Sequence, residues 1–304
     1  MVFCGIYPID NADFDALKDA MSKISLSDAS LSYEYETSQA LGYGVRCGFL
    51  GLLHMDVIRE RIEREYHIDV ILTFPSVKYE IYKTDGSMVV IDNPSKLPEI
   101  TTVKTIKEPF VKINIVTPGD YIGDIIELCN RHRGEYKDLV VLNGENRHMI
   151  IYEIPLGEII SSFFDKLKTM SKGYATMDYE LIEYREQKLI KVDVLLNGDK
   201  IDALSFISHR DFAYEKARIL CEKLKEHIPK QLFEVPIQAV IGNKVIARET
   251  IKAMYKNVLA KCYGGDVSRK KKLLEQQKAG KKKLKALGSV SVPQDVFIKI
   301  LTED

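Results

Sequence analysis

The sequence predicts an α+β protein in which two successive β-α-β-β-α-β units precede a third α+β region with a basic tail. Three observations lead to this fold class. The order of strand-like and helix-like segments in residues 1–75 is repeated in residues 108–185. A proline-bearing hairpin lies between the two repeats. Positive charge is concentrated late in a neutral chain, because residues 244–288 hold 14 Lys and Arg against 3 Asp and Glu, 14 − 3 = +11.

The first repeat covers residues 1–75. Apolar residues at three- and four-residue spacing predict helices at 13–25 and 52–66. Runs of apolar or alternating residues predict strands at 2–9, 31–38, 43–49 and 68–74.

Residues 76–107 are predicted to be a connecting hairpin and linker. Two strand-like runs, 77–82 and 88–91, flank the turn Thr84-Asp85-Gly86-Ser87. Pro94 and Pro98 follow, as is typical of a linker.

The second repeat covers residues 108–185, with predicted strands at 108–117, 136–142, 148–156 and 174–184. Its first helix is predicted to begin with Thr117 as the cap and Pro118 at the first helical position, and to stop at Gly134. Its second helix is predicted at 159–171. Two such units in succession predict two ferredoxin-like domains.

The third region is residues 186–304. Strands are predicted at 190–196 and 201–207 around the turn Asn197-Gly198, and a further strand at 232–241. A capping box at 208–211 predicts the start of a helix, and apolar spacing predicts another helix at 248–262. The basic tail follows.

Composition indicates an ordinary globular chain. Hydrophobic residues make up 45% and charged residues 29%, and no apolar run of about 18 residues predicts a transmembrane span. The first ten residues, MVFCGIYPID, lack the pattern of a signal peptide. Five widely spaced cysteines without CxxC favour buried thiols in a reducing cytoplasm over a disulfide framework.

Motifs for nucleotide, metal or nucleophilic chemistry are not found in the sequence. There is no GxxxxGK[ST], and the DxxG match at Asp120–Gly123 is interpreted as the first turn of a helix. The six histidines do not show zinc-ligand spacing. We therefore expect no catalytic residue, cofactor or metal in this chain.

The basic stretch is the strongest functional signal, because a dense cationic segment in an otherwise acidic chain indicates a polyanionic partner. RNA is favoured, with an anionic membrane surface and a merely solvated charge run as alternatives. His209 and Arg210 open a helix, where N–H groups attract phosphate, although a simple capping turn is the alternative. The candidate RNA-binding residues are His209, Arg210, Tyr263, Arg269, Lys270, Lys271, Lys272, Lys278, Lys281, Lys282, Lys283 and Lys285.

Several segments resemble the LepA, or elongation factor 4, family of translational GTPases. The resemblance covers nearly the whole chain and includes segments similar to domains III and V of elongation factor G. The segments that carry it are SDAS (27–30), ETSQALG (36–42), RCGFLGLLHM (46–55), PLGE (155–158), LKTMSKGYA (167–175), HR (209–210), YGGDVSRKKKLL (263–274) and VPQ (292–294).

The resemblance implies a family-specific C-terminal domain at 186–304 and a partner in the ribosome, with contacts to ribosomal RNA and tRNA. It implies a role in back-translocation, in translation fidelity under stress, or in ribosome assembly. Family members begin with a GTP-binding domain and a β-barrel domain, so we expect Met1 to start a fragment or truncated reading frame, with GTP and Mg²⁺ bound only in the missing domain. The implied location is the cytoplasm, with peripheral association at the inner face of the cell membrane. From composition and topology alone, the alternative is a small-molecule-sensing regulatory protein with paired ferredoxin-like domains.

Overall fold

The computed structural model describes residues 1–142, 146–160 and 163–254, together with the single positions Glu275, Val296 and Ile300. The chain divides into two compact units, Met1–Leu189 and Ile190–Glu303. Both repeats and the hairpin between them lie in the first unit.

The first repeat forms a four-stranded antiparallel sheet with two helices against it. Strand β1 is central and buried along its whole length, and the sheet order is β2-β3-β1-β4. Apolar side chains from both helices, including Leu17, Met21 and Ile58, form the core with Ile6 and Phe49. The elements are β1 (Val2–Pro8), α1 (Phe14–Ser27), β2 (Ser32–Ser38), β3 (Gly42–Phe49), α2 (Leu52–Tyr66) and β4 (Val70–Leu72).

The hairpin that follows is part of the second sheet. Strands β5 (Tyr79–Lys83) and β6 (Met88–Ile91) pair with each other, and β5 also pairs with the start of β7 (Val103–Pro118). Strand β7 therefore begins five residues before the predicted start at residue 108. Tertiary pairing with β5 extends the strand into a stretch that local sequence marks as a linker.

The connector is also tied to the first sheet. Ser76 and Phe3 exchange two backbone hydrogen bonds of 2.8 Å. The buried Arg46 side chain donates to the Ser76 hydroxyl and to the Asp92 carbonyl.

The second repeat has the same topology as the first. Its sheet has β10 and β9 on either side of β7, with β8 beyond β9. The two repeats thus confirm the α+β, ferredoxin-like prediction. The elements are α3 (Ile122–Arg131), β8 (Glu135–Leu142), β9 (Arg147–Pro155), α4 (Leu156–Ile159), α5 (Phe163–Met170) and β10 (Thr176–Gln187).

Two helix predictions in this repeat are wrong in detail. Thr117 and Pro118 belong to β7, a short 3-10 turn covers Gly119–Tyr121, and Tyr121 is the N-cap of α3. Pairing of Thr117 and Pro118 with β9 keeps the chain extended past the predicted cap. Of the helix predicted at 159–171, α5 confirms Phe163–Met170, and the separate short helix α4 ends at Ile159.

Up to residue 254, the described part of the second unit contains a four-stranded sheet and one long helix. The strands are β11 (Leu189–Leu196), β12 (Asp199–His209), β13 (Val235–Ile241) and β14 (Lys244–Ile251), in the order β12-β11-β13-β14. Helix α6 (Arg210–His227) packs against β12, β13 and β14. The predicted turn at Asn197-Gly198 is confirmed, because both residues have positive φ, as the favoured hairpin turn requires.

The helix predicted at 248–262 is wrong over residues 248–254, the last three of which belong to neither helix nor strand. Residues 248–251 lie in β14, and Ile251 is buried opposite Val235 of β13. The turn at Gly242, which has φ +58°, leads β13 into β14 as a hairpin. Strand pairing therefore overrides the helical spacing. The rest of that prediction, from residue 255 onward, lies outside the described residues.

Candidate nucleic-acid interface

Two of the twelve candidate RNA-binding residues, His209 and Arg210, lie in the part of the chain that the structure describes. The other ten lie outside it: Tyr263, Arg269, Lys270, Lys271, Lys272, Lys278, Lys281, Lys282, Lys283 and Lys285.

Helix α6 begins one residue later than the predicted capping box requires. The N-cap is His209, not Ser208, and its Nδ1 accepts the Asp211 N–H at 3.4 Å. Ser208 is buried and its hydroxyl instead donates to the His209 carbonyl. Because β12 runs without a loop into α6, Ser208 still belongs to the sheet and the cap moves to the next residue.

His209 and Arg210 have different surroundings. The His209 side chain is 13% exposed, lies 3.6 Å from the Asp211 carboxylate and has its ring 6.1 Å from that of Phe212. Its position is that of a cap packed on the first turn. Arg210 is exposed, and within the described residues its guanidinium forms no ion pair.

The basic stretch begins on β14, at the edge of the second unit's sheet. Lys244, Arg248 and Lys252 are all exposed. Glu249, the acidic residue among them, is paired with Lys225 of α6 at 2.7 Å, and the Lys225 hydrogen bond lowers the pKa of Glu249. The one acid of this strand is thus already paired with Lys225, while Lys244 and Arg248 on the strand and Lys252 just after it are exposed.

The end of β14 and His209 lie toward opposite ends of α6. The Glu249–Lys225 pair and a 2.7 Å hydrogen bond from the Met254 N–H to the Gln231 carbonyl place the end of β14 beside the C-terminal end of α6. His209 lies at the other end of this 18-residue helix, about 27 Å away at 1.5 Å per residue. The structure therefore does not bring His209 and Arg210 next to the last described residues before the tail.

The Asp28–His54 pair in the first repeat is engaged in local structure. Asp28 accepts from the Ser30 hydroxyl and from His54, hydrogen bonds that lower its pKa to about 2. The second ring nitrogen of His54 accepts the Leu50 N–H at 3.1 Å. Since the Ser30 hydroxyl is turned toward Asp28, this His–Asp pair fixes the turn before α2 instead of activating a nucleophile.

The described cysteines are also buried. Burial raises the pKa of Cys4 and Cys129 to about 12 and that of Cys221 to about 11, and raises the pKa of Cys47 as well. Across residues 1–142, 146–160 and 163–254, no cluster of three His, Cys, Asp or Glu side chains is arranged to hold a metal ion. Among the helices described, none has both the length and the apolar character needed to cross a bilayer.

Family models match both repeats and the second unit of this chain. The family model for elongation factor G domain III matches residues 1–73, and that for the elongation factor G C-terminus matches residues 105–195. The model described as the GTP-binding protein LepA C-terminus matches residues 196–302. The chain belongs to the elongation factor 4 (LepA) family. Its last third corresponds to the C-terminal part of LepA proteins.

Relatives in this family align along the whole chain. Elongation factor 4 of Ureaplasma urealyticum is 66% identical over 304 residues, which are 100% of this chain and 51% of that protein. The proteins of the same name from Mycoplasmoides gallisepticum and Bacillus subtilis are 64% and 58% identical over the same 304 residues, or 51% and 50% of their length. The chain thus spans about half the length of the relatives it matches.

Proposed function

We propose that this chain is the ribosome-binding part of an elongation factor 4-type translation factor, and that its basic stretch binds RNA by neutralising phosphates. Ribosomal RNA is the proposed main partner, with tRNA as a second one, in the cytoplasm. Back-translocation, fidelity under stress and ribosome assembly are the outputs proposed for the full-length factor, with GTP hydrolysis in a domain outside these 304 residues.

The observation that carries the proposal is the segregation of charge. Residues 244–288 carry +11, so the other 259 residues, with 30 Lys and Arg against 41 Asp and Glu, carry −11. In the described first unit, many cations are already paired with acids one helical turn away. Examples are Arg61 with Glu65 and Arg64 with Glu60. The exposed Lys244, Arg248 and Lys252 on and after β14 contrast with this pattern.

Salt dependence of RNA binding tests the proposal. Filter-binding titrations at several salt concentrations measure how log K falls with log[salt]. If about five phosphates are neutralised, the slope is roughly −3.5 to −4.5. Neutralising Arg269, Lys270, Lys271 and Lys272 to Gln is expected to flatten the slope and to weaken all RNAs about equally.

A matched control removes four cations that are already paired with acids. Lys18, Arg61, Arg64 and Arg131 each lie within 3.2 Å of a carboxylate three or four residues away. Replacing these four residues with Gln changes the net charge equally and is expected to leave the slope unchanged. An equal effect of both quadruple variants would mean that overall charge, not the basic tail, governs binding. Vesicles of anionic phospholipid in the same assay test a membrane surface as the alternative partner.

A further inference from the structure

Two tyrosine rings from distant parts of the sequence lie stacked on the surface of the second repeat. The ring centroids of Tyr121 and Tyr174 are 6.2 Å apart and their planes differ by 16°. Tyr121 caps α3 and is half-buried, whereas Tyr174 lies between α5 and β10 and is 65% exposed. An offset stack of this geometry leaves the outer face of Tyr174 open to solvent.

The turn that carries Tyr174 is firmly held. The Gly173 N–H donates to the Lys168 carbonyl at 2.8 Å and the Tyr174 N–H donates to the Ser171 carbonyl at 2.9 Å. Ser171 is fully buried, and its hydroxyl accepts the Ala175 N–H at 3.1 Å. The tyrosine ring is therefore presented on a rigid support, although its burial contributes little to the core.

The surroundings of the pair suit a nucleotide. Lys172, two residues before Tyr174, is exposed and has φ +51°, so the chain turns sharply just before the Tyr174 ring.

We propose that the outer face of Tyr174 is a stacking platform for one unpaired RNA base, whose adjoining phosphate is met by Lys172. An exposed aromatic face next to a cation is the arrangement with which proteins hold single-stranded nucleic acid. Asp120 and Asp124 are exposed on the α3 side of the pair and repel a continuous phosphate track there, so the contact is to a single nucleotide. This site rests on the proposed function but is separate from the basic tail.

The absence of tryptophan from the chain provides a direct test, because Tyr174→Trp introduces a single tryptophan fluorophore that keeps a stacking surface. Titration with single-stranded oligoadenylate is expected to quench its emission, whereas a fully base-paired RNA duplex leaves it unchanged. Tyr43→Trp is the matched control and is expected to show no quenching, because Tyr43 is an exposed tyrosine of β3 whose ring lies against another ring, that of Phe14. RNA binding without quenching at Tyr174→Trp would overturn the stacking site alone, and failure of the unmodified chain to bind RNA would overturn the proposed function with it.

Affinity measurements separate stacking from charge. Stacking of one base corresponds to about 5-fold to 150-fold in affinity. Tyr174→Ala is expected to weaken binding of oligoadenylate by a factor in this range with the salt slope unchanged, and Tyr174→Phe to retain nearly full affinity. Tyr43→Ala is expected to bind like the unmodified chain. Affinity unchanged in Tyr174→Ala, or an equal loss in Tyr43→Ala, would contradict the proposal.

Discussion

Arg133 joins two buried carboxylates, and its replacement by Gln is expected to destabilise the first unit strongly. The guanidinium, 12% exposed, donates to both oxygens of Glu108 and, at 3.1 Å, to Glu158. The two carboxylate side chains are 2% and 9% exposed. Burial lowers the pKa of Arg133, but the hydrogen bonds to Glu108 and Glu158 outweigh it, so the net pKa is raised and the residue stays charged.

The expected magnitude follows from leaving two buried carboxylates without their cation. Removing one partner of a buried ion pair costs about 3–5 kcal/mol of unfolding free energy. In a cooperative unit of this size, about 2–4 °C of melting temperature corresponds to each kcal/mol, so the expected loss is about 6–20 °C. Replacing Glu108 and Glu158 by Gln together with Arg133 removes the uncompensated charges and is expected to recover part of the loss.

Urea unfolding followed by circular dichroism measures this effect, with Arg131→Gln as the matched control. Arg131 is two residues away, 73% exposed, and pairs only one helical turn back with Glu127. Exposed pairs of this kind contribute about 0.3–0.5 kcal/mol. A loss of under 1 kcal/mol for Arg133→Gln, or equal losses for both arginines, would refute the assignment of Arg133 as the charge that stabilises this buried cluster.

Three further predictions concern the remaining structural features. In a Cys262→Ser background, the four buried thiols are expected to resist labelling by a disulfide reagent until urea is added. Because burial raises the pKa of these thiols in the folded chain, they ionise at lower pH when the chain is unfolded. The free energy of unfolding is therefore expected to fall as pH rises above about 9. Gly44→Ala places a Cβ 2.6 Å from the Ile6 carbonyl oxygen and is expected to lower the melting temperature. Gly123→Ala has open space around the new Cβ and is expected to raise the free energy of unfolding by about 0.5–1 kcal/mol. His209→Ala is expected to lower the free energy of unfolding by about 1 kcal/mol, because α6 loses its cap. Arg210→Ala is expected to weaken RNA binding and to leave the melting temperature nearly unchanged. If His209→Ala weakened RNA binding and Arg210→Ala lowered the melting temperature, the two roles would be exchanged.

Local sequence patterns predict the helices and turns whose own residues favour one backbone conformation. Apolar spacing gave the correct bounds for α2, Leu52–Tyr66, and the Asn197-Gly198 pair predicted its turn because both residues tolerate positive φ. The bounds of strands β7 and β14 depend instead on pairing with strands that the local sequence does not reveal. Strand β7 starts at Val103 because β5 pairs with it, and β14 forms because β13 lies beside it.

The candidate sites also differ in whether the local sequence reveals them. The excess of lysine and arginine after residue 244 is visible in composition, and so it predicts a partner without any structure. The Tyr121–Tyr174 stack and the Arg133 cluster join residues far apart in sequence. No spacing rule indicates such pairs, because the topology of the sheet, not the local sequence, brings them together.

Co-sedimentation of the 304-residue chain with purified ribosomes tests the central claim most directly. The proposed function predicts that the chain pellets with ribosomes at low salt, that binding falls steeply as salt rises, and that the variant neutralised at Arg269, Lys270, Lys271 and Lys272 binds markedly less. The control variant that lacks four acid-paired cations is expected to pellet like the unmodified chain. A chain that stays in the supernatant at low salt, or a tail variant that pellets as well as the unmodified chain at every salt concentration, would contradict the account.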